Sequence, residues 1–299
     1  MDRLLFESRA SVLLYHFIKS NFGLNDVVLL PSNVCPIVPA AFLKANISFE
    51  FVDIDDSFLM NKSLVEDQIV KAKGLLFVRS YGVFKDESVW FDYLKHLNKD
   101  LIIIDDRCLC IPQFDVNLGN TDLVLFSTGY SKYVDFGWGG YGYMNDSFSY
   151  FHENLVFVDD DHDSLLNQFR SCLDKEEVYV DQNSNWLGGI KHLTWEDYKS
   201  SVLKGVIKTN AQKEKLNYIY LSGLGPEISL PENAHNWRYN ILVKDKSKVI
   251  HKVFEADLFV SSHYAPVSKM FSDVPSPVSK KKHDGIVNLF NDFRYSEEQ

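Results

Sequence analysis

Four cysteines in 299 residues, none at zinc-knuckle spacing, leave little for a disulfide framework or a structural metal, and no metal site is expected. Cys35, Cys108, Cys110 and Cys172 fit a reducing compartment, and the pair in "DDRCLCIP" reads as small buried hydrophobes sharing one face of a strand end. No apolar window reaches the roughly 18 residues needed to cross a bilayer. The start "MDRLLFESRA" shows neither the basic opening nor the small-residue cleavage site of a signal peptide, so the expectation is cytoplasmic. Positive charge is also scarce. Lys and Arg number 31 against 41 Asp and Glu, a net charge of -10 that argues against a nucleic-acid surface. The one basic run, Lys280-Lys281-Lys282, reads as a solvated loop. Neither a Gly-x-Gly-x-x-Gly nor a Walker loop follows the first strands, which weakens the case for a plain nucleotide-binding domain.

What the chain has is alternation. Five apolar runs of strand length occur near 26–32, 48–54, 74–81, 101–107 and 121–127, continuous enough to suit parallel strands covered on both faces. Helical periodicity fills the gaps, in "SRASVLLYHFIKSN", "CPIVPAAFLKAN", "SLVEDQIVKA" and "ESVWFDYLKHLN". Repetition of strand and helix predicts an α/β fold, a mostly parallel, doubly wound sheet with helices on both faces. After about residue 150 come "DSLLNQFRSCLD" and a long helical stretch ended by Gly223 and Gly225-Pro226, then "WRYNILVKD" and "VIHKVFEADLFVSSHY" as strand, helix and strand. The expected organisation is a large domain over 1–195 and a long helix with a small α+β domain over 196–299.

In such sheets ligands bind where loops converge at the carboxyl ends of the strands. Four features fall there. In "ESRASVLLY", Ser8 reads as a helix N-cap, which puts the N–H groups of Ala10 and Ser11 in a first turn able to hold an anion. Asp105-Asp106 ends the "LIII" strand, and a buried carboxylate there needs a partner: an ion pair with Arg79 or Arg107, a helix cap, or a protonated ring nitrogen. In "FSTGYSKYVDFGWGG", Lys132 sits between a hydroxyl-rich turn and Gly137, Gly139 and Gly140, either as a solvated loop charge or as a covalent anchor. In "PSNVCPIV", Cys35 stands where a flat face could pack over a ring, or Ser32 or Asn33 simply caps the next helix.

Together "DVVLLPSNVCPIVPAAFLKANISFEFVDID", "VRSYG", "IIIDDRC" and "FSTGYSKYVDFGWGGYGYM" resemble the DegT/StrS family of sugar aminotransferases, fold-type I enzymes that use pyridoxal phosphate. The resemblance covers roughly the first 150 residues. It implies Lys132 as the lysine that binds the cofactor and Asp106 as the partner of its pyridine nitrogen. It further implies Ser127, Ala10 and Ser11 on the phosphate, and Cys35 beside the ring, where the family commonly has an aromatic. Leu109 replaces the usual Gln or His near the cofactor's phenolic oxygen, and Trp138 replaces the glutamate of the family's "G-E-G-G". "GGIKHLTWEDY" resembles the segment that reaches a partner subunit's site, which implies Lys191 and His192 near the neighbouring phosphate. "SSHYAP" resembles the substrate-side loop, implying contacts from His263 and Tyr264, and "NLFNDF" resembles the closing strand of a shortened C-terminal domain.

The implied activity is amino transfer, usually from glutamate, onto a keto group of a nucleotide-activated sugar, by a homodimer serving polysaccharide or lipopolysaccharide biosynthesis. Lys132 favours this over the family's deoxygenating members, which resemble a pattern with histidine at that place. The competing expectation is a pyridoxal-phosphate-binding relative without turnover, acting as a regulatory or partner subunit.

Overall fold

In the computed structural model, which describes residues 2–296, the first half of the chain builds a seven-stranded sheet. Its strands are β1 (Asp2–Glu7), β2 (Val27–Pro31), β3 (Ser48–Val52), β4 (Gly74–Val78), β5 (Ile102–Asp106), β6 (Leu123–Ser127) and β7 (Gly140–Asn145), in the spatial order β1-β7-β6-β5-β4-β2-β3. Neighbours from β3 to β6 pair in parallel, and β7 runs antiparallel to both β6 and β1. Helices α1 (Ala10–Asn21), α2 (Ile37–Ala45), α3 (Lys62–Gln68) and α4 (Ser88–Leu97) connect the strands.

The strand period of two explains the layers. Val28, Leu30, Leu76, Val78, Ile102 and Ile104 point into one core with Val12, Leu13 and Phe17 of α1 and Ala41 and Phe42 of α2. The alternate residues Leu29, Leu75, Phe77 and Ile103 point into a second core with Val65 of α3 and Trp90, Phe91 and Leu94 of α4. Strands apolar at every position are thus covered on both sides. At the edge this breaks down: in β3, Ser48 and Glu50 are exposed, so "SFEFV" is half-covered rather than buried on both faces.

Two strands were hidden from the apolar-run reading. β1 is bounded by charge at both ends, "DRLLFE", and β7 is "GYGYMN", whose glycines and tyrosines read as a loop. They extend the sheet beyond β6 and place the start of α1 beside the glycine turn that carries Lys132.

Beyond the sheet come α5 (Asp159–Lys175) and α6 (Trp195–Gly223), then β8 (Tyr239–Leu242), α7 (Lys246–Glu255), β9 (Val260–Ser261), α8 (Ser268–Ser272), α9 (Pro277–Gly285) and β10 (Ile286–Leu289). The three short strands form an antiparallel sheet with β10 in the middle. With 29 residues α6 spans about 43 Å. Its start buries Tyr198 and Val202 against Val124 and Phe126, and its end lays Tyr220 and Leu224 against the small sheet. The basic run is not a loop: Lys280 to Lys282 belong to α9, where Lys280 pairs with Asp284 and Lys282 with Asp56.

Candidate active site

The two adjacent aspartates at the end of β5 have opposite fates because they lie on opposite faces. Asp105 continues the Ile103 face, into the core that holds Phe77 and Phe91. There Arg79 grips it with two bonds, Nε to Oδ1 at 2.8 Å and Nη2 to Oδ2 at 3.0 Å, and Arg107 Nε adds a third at 2.8 Å. Arg79 itself lies over the Phe77 ring. Asp105 is fully buried and its charge is answered.

Asp106 continues the Ile104 face toward α1 and α2. The ion pair expected as one alternative at this strand end forms on Asp105, which takes both arginines, and not on Asp106. Asp106 Oδ1 accepts from Cys108 N at 2.8 Å, and among the described residues no cation pairs with it. Burial pushes its carboxyl up, opposed by the Cys108 hydrogen bonds and by the nearby charge of Lys132.

Lys132 reaches more than Asp106. Its charge also acts on Cys35, Cys108 and His263, while the Tyr264 hydroxyl feels Cys35, Asp106 and Cys108. Residues from five separate stretches of sequence thus lie within reach of one another's charge: the loop after β2, the end of β5, the turn after it, the Lys132 loop and the segment after β9. Burial raises the Cys35 and Cys108 thiols and the Tyr264 hydroxyl and lowers His263 to about 4, so these groups are neutral near pH 7. Cys108 and Cys110 lie in a turn past the strand end, and thiols raised in this way are poor metal ligands.

The second cluster forms at the start of α1. Arg9, not Ser8, is the N-cap, and no side chain closes that end. Ala10 and Ser11 do occupy the first turn, where α-helical N–H groups lack intrahelical partners. Gly139 N donates to Ser8 O at 2.6 Å, and Gly140 lies opposite both Glu7 and Ser127. A Cβ on Gly140 would run into the backbone of Ala10, so only glycine admits this approach. Gly137 and Gly139 take φ of 75° and 95°, and Ser127 Oγ accepts from Gly129 N at 3.2 Å. Ala10, Ser11 and Ser127 are thereby gathered at one corner.

Lys191 and His192 also lie at this corner. Lys191 Nζ donates to Phe6 O at 3.1 Å and stands 3.3 Å from Glu7 Oε2, and His192 meets the Trp138 ring edge-on at 5.0 Å. Glu7, His16 and His152 bring three ligand-type atoms together nearby. His16 Nε2 there accepts from Glu153 N and the Lys191 ammonium faces Glu7, an arrangement suited to hydrogen bonding rather than to a cation.

Leu109 packs with Tyr81, Trp237 and Ile286, and Trp138 packs with Phe6 and Tyr198. At the loop before α2, Pro36 is the N-cap position. Ser32 and Asn33 do not cap: Ser32 Oγ bonds Asp53 Oδ1 at 3.2 Å, and Asn33 Nδ2 bonds Phe58 O at 3.1 Å.

Sequence reading missed the clamp on the Lys132 loop. Trp237 Nε1 donates to Ser131 O and Arg238 Nη2 to Ser131 Oγ, each at 2.6 Å, while Arg294 pairs with Asp135, whose Oδ2 accepts from Ser131 N. Ser131 is held at φ 60°, a conformation that side chains rarely adopt. The available signal was an arginine inside "WRYNILV", a charge entering a buried strand.

The residues present fit pyridoxal phosphate on one observation in particular: Asp106 is a buried carboxylate at a strand end with no cation of the protein's own paired to it. A protonated ring nitrogen is the partner that chemistry supplies.

No family model and no curated protein sequence matches the chain. Solved structures do. The chain is similar to S. venezuelae DesV, with a TM-score of 0.69 at 17% identity over 98% of this chain and 80% of that one. It is also similar to Helicobacter pylori PseC, an aminotransferase involved in the biosynthesis of pseudoaminic acid, with a TM-score of 0.66 at 16% identity over 96% and 81%. A DegT DnrJ EryC1 StrS aminotransferase from Brucella abortus gives 0.67 at 18% over 98% and 81%. The fold is therefore that of the fold-type I aminotransferases, as the family resemblance implies. One of these structures carries the name of the very family whose motifs the first 150 residues resemble.

Proposed function

We propose that this chain is a pyridoxal-phosphate-dependent aminotransferase of the DegT/StrS kind. It moves an amino group from glutamate onto a keto carbon of a nucleotide-activated sugar, and it works as a homodimer. The reading rests chiefly on the division between Asp105, which holds both arginines, and Asp106, which faces Lys132 with no arginine of its own.

In this reading Lys132 Nζ holds the cofactor, Asp106 faces its ring nitrogen, and Ser127 with the N–H groups of Ala10 and Ser11 takes its phosphate. Cys35 packs by the ring. When bound, the cofactor supplies an electron sink for the carbon that gives up its proton. The ionised Asp106 keeps the ring nitrogen protonated. Lys132 Nζ, once freed by the incoming amine, would take the proton from the donor's α-carbon as general base and give it back as general acid. His263 and Tyr264, both neutral, line the substrate side without adding charge. Lys191 and His192 are proposed to serve the phosphate corner, at the partner's site in the family arrangement.

A half-reaction tests this. Purified protein supplied with pyridoxal phosphate should show a visible absorption band that glutamate converts to the amine form of the cofactor, with release of 2-oxoglutarate. A band unmoved by glutamate or any other amino donor would favour the relative without turnover.

A further inference from the structure

Both neighbours of Lys132 are pinned, and Lys132 itself is not. Ser131 is held through its N, its O and its Oγ. Tyr133 is buried and gives its hydroxyl proton to Asn210 Oδ1 of α6 at 2.5 Å. Among the described residues no hydrogen bond or ion pair holds Lys132 Nζ. The direction of the amine is therefore set by the main chain on either side of it.

That main chain takes its shape from Asp135. Its Oδ2 accepts from Ser131 N at 2.8 Å and its Oδ1 from Gly137 N at 3.0 Å, so one carboxylate joins the residue before Lys132 to the glycine five positions after it. Across the base of the same loop Phe136 N donates to Thr128 O at 2.8 Å. Ser131 at φ 60° is a conformation that persists only where its surroundings enforce it. The Asp135 side chain is 9% exposed, and a carboxylate this buried needs a cation. Arg294 supplies it: Nη2 donates to Asp135 Oδ2, while Nη1 donates to Asp292 Oδ2 at 2.6 Å. The segment after β10 that carries Arg294 is tied down in turn, with Tyr295 O accepting from Gln212 Nε2 of α6 at 2.8 Å and the Tyr295 hydroxyl from Phe259 N at 2.5 Å.

We propose that Arg294, acting through Asp135, is a positioning residue that fixes the Lys132 loop in the shape that presents its amine to the cofactor's aldehyde. This inference rests on the aminotransferase reading and adds to it a residue far from the loop in sequence. In the step it serves, Lys132 Nζ attacks the aldehyde carbon, a carbon–nitrogen double bond forms, and the aldehyde oxygen leaves as water with the two amine protons. The ion pair takes no part in those bonds. It holds the nucleophile in place while they form.

Two readings on the full chain test this. Hydrogen exchange of the cofactor-free protein, followed by mass spectrometry over the peptide containing Ser131 and Lys132, should be roughly 10- to 100-fold faster in Arg294→Gln than in wild type, the loss expected for a charge-assisted hydrogen bond. Absorbance titration with pyridoxal phosphate, at a temperature where every variant is folded, should show weaker uptake by a similar factor. Arg294→Lys keeps the charge without the two-armed fork and should recover part of both losses. The double variant with Asp135→Asn should lose no more than Asp135→Asn alone, because Arg294 acts through that carboxylate. Equal exchange in wild-type and Arg294→Gln protein overturns the proposal. So does an Arg294→Gln protein that melts lower yet takes up the cofactor with wild-type affinity while folded, the mark of a purely structural pair, and so do losses that simply add in the double variant. Should Arg294→Gln fail to fold, wild-type values for Arg294→Lys in both readings overturn it instead. Absence of any visible band in wild-type protein defeats the aminotransferase reading, and the exchange comparison, which needs no cofactor, judges the ion pair separately.

Discussion

Two neighbouring aspartates show how a single residue step decides a role. Asp105 is a structural anion, and Asp105→Asn strips a buried arginine of its partner. It should cost about 3–5 kcal/mol of stability, measured by chemical denaturation. Asp106 behaves oppositely. Because burial raises its carboxyl, the ionised form weighs against the cofactor-free fold above the ordinary carboxylate range, a burden that eases as pH falls. Cofactor-free Asp106→Asn should therefore melt at or above wild type at pH 7. In the transamination assay the same variant should lose on the order of 10²–10³-fold in rate, the scale of a removed electrostatic stabiliser. Equal melting losses for the two variants would erase the distinction. The sequence showed "DD" and left open which partner each took; strand alternation allots the faces, but locating the arginines needed Arg79 and Arg107 in space.

At the scale of elements, the parallel core strands were legible because each is apolar throughout and lies between two helical layers. β1 and β7 were not, since one is framed by charge and the other relies on glycine. That glycine has a mechanical role: Gly140→Ala should disturb the junction of β7 with α1, destabilise the fold by about 1–3 kcal/mol and impair cofactor uptake, checked by melting and by absorbance titration. The clamp on the Lys132 loop was illegible for another reason, since it joins Ser131 to residues more than a hundred positions later. Lys213, beneath it, gives a pH signature. Burial lowers its amine from 10.5 to about 7, so the unfolded chain binds more protons between those values and stability rises with pH there. Relative to Lys213→Met, wild-type protein should gain melting temperature from pH 7 to pH 10. A constant difference across that range would mean that Lys213 stays protonated in the fold.

For the whole molecule, the helix α6 couples the large sheet to the small one, and the residues just before β8 and just after β9 bring Trp237, Arg238 and His263 to the Lys132 side of the site. No helix among the described residues is long and apolar enough to cross a membrane. The family resemblance leads us to expect a homodimer, which sedimentation of the cofactor-loaded protein would show as twice the 34.5 kDa chain. The proposed function nonetheless depends on Lys132 as a covalent anchor for the cofactor. The most direct test is borohydride reduction of the protein loaded with pyridoxal phosphate, followed by peptide mass analysis. The visible band should vanish, the cofactor should become fixed to the peptide containing Lys132, and Lys132→Ala should neither form the band nor retain label. Label fixed on another lysine, or no band at all with cofactor in excess, would contradict the account.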